Sequence, residues 1–315
     1  LKPSFQNFVH TCTPLYKLPL LEEGYLKRID SIAQALLTFE ASSNPIDTLT
    51  TFLQSDVTFL GIILSLTNLS QEKLMRILTA QRFANGDYGA EWKPKTVFTK
   101  LKNDNDFARR IATLFIEGRN NPIMREHVAD FHLGNIELPV NWLSIIRDEK
   151  LIRNVIRRKL YGEYNDAKGK AIEAVIKLKL QPLVDAYGLS YEHGQVALVG
   201  KEVDIAIPNV TSPSVMIMSS YTETSASSMT ARANEQHAMY LKVRAANELD
   251  GKNRIFINFV DGGGWLARRS DLAKLYRDCD YILNIQSLNQ LTSIVQAHLP
   301  EERQHQIQRT IENDP

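Results

Sequence analysis

Apolar residues recur at three- and four-residue spacing through the first third of the chain. Leu26, Ile29, Ile32, Ala33, Leu36 and Leu37 form one such stripe, which Asn44-Pro45 stops. Asp47 is placed to cap a helix carrying Leu49, Phe52 and Leu53, and Ser70 a helix carrying Leu74, Ile77 and Leu78. Asn85-Gly86-Asp87-Tyr88-Gly89 is turn chemistry, and Phe107, Ile111, Leu114 and Phe115 predict a further helix. No repeat period links these segments. Residues 120–139 are turn-rich, so the pattern predicts a helical domain over 1–140 and a second domain over 141–315.

In the second domain the period changes. A basic helix is expected over 142–160 and an apolar one over 166–186, with Gly188 where a left-handed cap is needed. Short strands follow at about 195–198, 203–207, 215–218, 255–260 and 281–285, with helices at 231–248 and 270–277. This alternation predicts an α/β (α+β) fold with a mixed central sheet flanked by helices, beside an N-terminal helical domain. Residues 300–315 are polar and read as a short helix with a frayed tail.

Apolar residues make up 43% and charged residues 23%, an ordinary globular composition, and the net charge is +1. Any nucleic-acid contact must therefore come from local basic clusters. The longest dense apolar stretch, residues 59–66, is too short to span a bilayer, and the first residues lack the order of a signal peptide. A soluble cytoplasmic protein, without a membrane partner, is expected. Cys12 and Cys279 lie far apart and read as reduced thiols rather than a disulfide. His127 and His132 sit five apart on a turn-rich segment, where zinc is not expected; His10, His193 and His237 are isolated. No Ser-His-Asp arrangement with a nucleophile elbow is visible.

Candidate chemistry centres on two acids. Asp204 lies between Val203 and Ile205 in an apolar strand, where a carboxylate is costly unless a cation compensates. Glu173 lies among Ile172, Val175 and Ile176 of the apolar helix; it either points inward or sits solvated on the outer face. Carboxylates that converge from a strand and its neighbours can hold Mg²⁺, and Mg²⁺ can activate water and neutralise a phosphate. Residues 219–230 hold eight Ser or Thr in twelve positions, hydroxyls suited to DNA phosphates or to a solvated linker. Gly262-Gly263-Gly264 lacks the spacing of a dinucleotide fingerprint and reads as a turn presenting Trp265, Arg268 and Arg269.

The order of elements resembles the PD-(D/E)XK nuclease superfamily: a Glu173-bearing helix, Tyr187-Gly188-Leu189, the Asp204 strand, a second strand, a hydroxyl loop and a helix opening Arg232-Ala233-Asn234-Glu235-Gln236. With Phe259-Val260-Asp261-Gly262-Gly263-Gly264-Trp265, Arg268-Arg269-Ser270-Asp271-Leu272 and Cys279-Asp280-Tyr281-Ile282-Leu283-Asn284, residues 168–288 look like a type II restriction endonuclease. That resemblance implies double-stranded DNA as substrate, Mg²⁺ as cofactor and a homodimer reading a palindromic site.

One departure stands at the second strand, where Met218-Ser219-Ser220 replaces the usual Glu-x-Lys. Three readings follow: an acid that has moved to the next helix, an inactive site in a DNA-binding or regulatory subunit, or an introduced substitution. On the first, Asp204 and Glu235 are metal ligands, Glu173 is an accessory acid, Arg232 supplies the missing positive charge, and Gln236 is a weaker substitute for it, able to orient water but not to neutralise a phosphate. Glu223 is a further acid in the loop. DNA contacts are expected from Ser219, Ser220, Thr224, Trp265, Arg268 and Arg269, and from Arg157 and Arg158 on the basic helix.

Overall fold

The computed structural model of the chain describes residues 2–299; the short helix expected over 300–315 lies outside them. Contacts divide the described residues into two units, 19–164 and 2–18 with 165–299.

In the 19–164 unit, helices pack around one apolar core. The stripe on Pro19–Leu37 buries Ile29, Ala33 and Leu36. Helix Pro45–Ser55 is capped by Asn44, whose Oδ1 accepts from Ile46 N at 2.8 Å and Asp47 N at 3.2 Å. The cap thus falls three residues before the expected Asp47, because Pro45 takes the first helical position, where no N–H is needed. Phe52 anchors the core, stacked on Phe59 at 4.6 Å and edge-on to Phe39 and Trp142.

One helix, Glu149–Tyr187, runs unbroken for 39 residues where two were expected. The break falls earlier, at Asp148, which ends helix Trp142–Arg147 and accepts from Leu151 N at 2.9 Å. Gly162 and Gly169 cost a helix about 1 kcal/mol each relative to Ala. Apolar residues on either side carry it through. Ile152, Ile156 and Leu160 bury in the helical core, and Ile172, Ile176 and Leu180 bury against the sheet. The division between units therefore lies at Tyr164, inside this helix, where its packing partners change, rather than at the turn-rich 120–139 segment.

The other unit holds a five-stranded mixed sheet in sequence order: β1 (Glu192–Val196), β2 (Lys201–Ile207), β3 (Val215–Tyr221), β4 (Ile255–Asp261) and β5 (Tyr281–Leu283). β1, β2 and β3 pair antiparallel, while β3, β4 and β5 pair parallel. Ile205, Ile217, Ile257 and Phe259 face the C-terminal part of the long helix, with Leu291 and Val295. Ala206, Met216, Phe256 and Val260 face helix Ser228–Asp250 and Leu272 and Leu275 of helix Arg269–Arg277. β4 is buried along its whole length, as a parallel strand covered on both faces must be.

Residues 2–18 pack here too, not with the helical unit as the expected 1–140 domain had them. Helix Phe5–Thr11 inserts Phe8 into the second core, and Phe5 meets Tyr276 edge-on at 5.2 Å. Among the described residues, no helix is long and apolar enough to cross a membrane.

Candidate active site

The site begins where β2 and β3 part. Their pairing runs from Ile207↔Val215 to Ile205↔Ile217. The amide of Ser219 then donates to Asp204 Oδ2 at 2.7 Å, so a carboxylate stands in for a ladder carbonyl. On the opposite edge of β2, Glu192 faces Ala206 but Gly194 faces Val203. The extra β2 residue falls at Asp204-Ile205, and a bulge of this kind re-aims a side chain. Burial raises the Asp204 carboxyl above its ordinary value; the Ser219 amide, Arg232 and His193 draw it back.

Helix Ser228–Asp250 brings Arg232 to the same place. Its Nη1 donates to Ser220 Oγ at 3.1 Å, and Trp265 Nε1 donates to the same oxygen at 3.1 Å. Ser220 is 1% exposed and Trp265 fully buried. A guanidinium thus reaches Ser220 on β3. DNA contacts were expected from Ser219, Ser220 and Trp265, and the structure places all three inside the fold. These side chains are buried, and Ser220 and Trp265 join helix to sheet.

The remaining acids are dispersed. Glu235 pairs with Lys201 at 2.6 Å, both exposed. Glu173 is half-buried on the long helix. Gln236 is 1% exposed in the core beneath helix Ser228–Asp250, and neither polar atom of its side chain has a partner there. It does not face solvent, as a residue orienting water would. His193 Nε2 lies 2.8 Å from Glu202 Oε1, and His237 Nδ1 lies 2.9 Å from Asp278 Oδ2. Among the described residues no three His, Cys, Asp or Glu side chains form a metal-ligating group, so Asp204, Glu235 and Glu173 do not converge as placed. A divalent cation with oxygen preference still fits Asp204. Its Oδ2 is fixed by the Ser219 amide, its burial calls for positive charge, and Mg²⁺ keeps most of its ligands as water.

Two features had no clear signal in the sequence. Lys168, 5% exposed in its side chain, forms an ion pair with Glu223, and Tyr221 Oη donates to the same Glu223 oxygen at 2.8 Å while accepting from Tyr16 N at 2.8 Å. Lys168 lies one helical turn before Ile172 on the inward face, the one hint available. Asp261 is the other. It is fully buried and accepts from Thr13 N at 2.5 Å, Gly262 N at 2.8 Å and Ile285 N at 2.9 Å.

The three glycines are close-packed rather than presented. Gly262 has φ +105°, and a Cβ on it would strike the Thr222 carbonyl; one on Gly264 would lie 2.5 Å from Thr224 O. The hydroxyl loop is thus seated on this turn. Thr224 and Arg269 remain exposed, and Arg268 Nη2 donates to Ala226 O at 2.9 Å, tying the turn to the loop. Arg157 and Arg158 are exposed on the part of the long helix belonging to the helical unit. Both cysteines are free; burial pushes the Cys12 thiol up to about 12 and the Cys279 thiol up to about 11.

Comparison with known proteins adds one match. No curated protein and no solved structure matches the chain. Residues 149–293 match the family model described as DpnII restriction endonuclease. That span is a little under half of the chain and contains the long helix, all five strands and every candidate site residue. The match supports a DNA-cleaving restriction endonuclease, and its span includes the parted strands that hold Asp204.

Proposed function

We propose that this chain is a type II restriction endonuclease with a PD-(D/E)XK-type core, a site-specific deoxyribonuclease that hydrolyses phosphodiester bonds of duplex DNA and leaves 5′-phosphate ends. The observation that carries this reading is the half-buried Asp204 carboxylate at the parted end of β2 and β3, with Arg232 within electrostatic reach.

In this reading Asp204 is the anchoring ligand for Mg²⁺. Glu235 joins it after leaving Lys201, an exposed pair worth about 0–1 kcal/mol and readily exchanged. Glu173 serves as an accessory acid. Mg²⁺ held there would supply an activated water and neutralise charge at the phosphate. Arg232, held by Ser220, stabilises the charge that develops on the phosphate oxygens. Thr224, Arg268, Arg269, Arg157 and Arg158 contact the DNA. The helical unit serves recognition or dimerisation, and a homodimer matches a palindromic site.

The test is a digest of unmethylated phage DNA with the full chain and Mg²⁺. Discrete bands that vanish with EDTA are expected. Intact DNA, together with retained DNA binding, would instead assign an inactive nuclease fold that recognises DNA without cutting it.

A further inference from the structure

Within the helical unit, helix Pro19–Leu37 and the long helix enclose a groove of about 380 Å³. Glu22, Tyr25 and Leu26 line it from the first helix, and Arg157, Tyr161 and Tyr164 from the second. Tyr25 and Tyr164 meet edge-on, ring centroids 5.3 Å apart at 85°. Tyr161 and Leu26 are 48% and 51% exposed, so an aromatic and an aliphatic face stand open at the mouth.

The charges around the groove are unevenly matched. Arg153 is held by Asp30 and Glu149, and Lys159 and Arg28 both engage Glu163. Arg157, one turn before Tyr161 on the same face, has no acid partner among the described residues, nor has its neighbour Arg158. An open tyrosine face beside an uncommitted guanidinium is the chemistry that recognises a nucleotide. The ring stacks on the aromatic face and the phosphate meets the arginine. A groove of this volume suits a single base with its sugar; it is too small for a duplex.

We propose that this groove binds one unpaired nucleotide of a DNA strand, its base against Tyr161 and its 5′-phosphate on Arg157. The inference rests on DNA being the substrate, and it assigns the helical unit a contact separate from Asp204.

The test uses the full chain with Ca²⁺ in place of Mg²⁺ and three labelled probes in fluorescence anisotropy. These are a dT 15-mer, a 15-mer of equal charge in which every base is replaced by an abasic analogue, and a duplex restriction substrate. The dT strand is expected to bind roughly tenfold tighter than the abasic strand. Tyr161→Ala should abolish that difference without changing abasic affinity, and Tyr161→Trp should keep it. Arg157→Ala should weaken both strands alike. Tyr161 is half exposed, and circular dichroism of each variant checks its fold. Equal binding of dT and abasic strands by a chain that still binds duplex overturns the groove and leaves the nuclease reading standing. Failure to bind any of the three removes both. A Tyr161→Ala effect confined to sedimentation behaviour, with dT affinity unchanged, overturns the nucleotide site in favour of contact between copies.

Discussion

Asp204 and Asp261 are both carboxylates taken out of water, and their surroundings compensate differently. Asp261 is enclosed and accepts three backbone amides, from Thr13, Gly262 and Ile285, so it fastens the N-terminal segment to the end of β4. Asp261→Asn leaves one oxygen and turns a donor toward an amide; a loss of about 1–3 kcal/mol is expected in denaturant unfolding. Burial holds the Asp261 carboxyl above its ordinary value despite those amides. A raised carboxyl makes the fold bind the proton more tightly than the unfolded chain. Its contribution is therefore present below the unfolded value of about 3.9 and is lost as pH rises through the folded one. The stability gap between wild type and Asp261→Asn should narrow over that interval, and a gap constant from pH 3 to 6 would show the carboxyl is not raised. Among the described residues Asp204 accepts only the Ser219 amide, which leaves it suited to a cation. Asp204→Ala should reduce plasmid nicking to background while Ca²⁺-supported DNA binding persists. If Glu235 shares the ion, Glu235→Ala is equally damaging. If neither variant matters and Met218→Glu gains activity, the strand position itself is what the site lacks. The acid in the apolar strand was legible from its neighbours alone. The Ser220 bridge between Arg232 and Trp265 was not, because one buried hydroxyl meets partners 12 and 45 residues further along the chain.

At the scale of elements, β2 to β5 were legible because each is a short apolar run bounded by turn residues, whereas β1, Glu-His-Gly-Gln-Val, is polar and shares only residues 195 and 196 with the strand expected at 195–198. The 39-residue helix was not legible either, since a gap was expected between residues 160 and 166, and the apolar residues that carry the helix across it pack into two different cores. The bulge at Asp204-Ile205 was equally hidden, because it depends on which residues of β1 lie opposite. The glycine run shows the same dependence on partners. Gly264 faces Thr224 O so closely that a methyl group must displace loop backbone rather than a flexible side chain. Gly264→Ala should lower stability by about 1–3 kcal/mol, the usual cost of overpacking. It should also reduce cleavage more than melting temperature alone explains, because the loop carries Glu223 and Thr224. A variant with wild-type melting and wild-type cleavage would show that the loop is not seated on this turn in solution.

For the molecule as a whole, 37 basic and 36 acidic residues leave a net charge of +1, so no diffuse positive field draws DNA in. Affinity must come from a few arginines, and they occur in two kinds of place. Arg268 and Arg269 flank the turn beneath the hydroxyl loop in the sheet unit, whereas Arg157 and Arg158 belong to the helical unit. An arginine that meets a guanine edge contributes discrimination, while one that meets phosphate contributes affinity for any sequence. Arg269→Ala should weaken binding to a cognate duplex by about 1–3 kcal/mol and leave non-specific DNA nearly unaffected. Arg158→Ala should weaken cognate and non-specific duplexes alike and make the logarithm of affinity less steep against the logarithm of salt by roughly one ion. Both are read from titrations of the two duplexes at two salt concentrations in Ca²⁺. If the two variants shift cognate and non-specific binding by the same factor, Arg269 is a phosphate contact, and sequence is read by residues elsewhere in the protein.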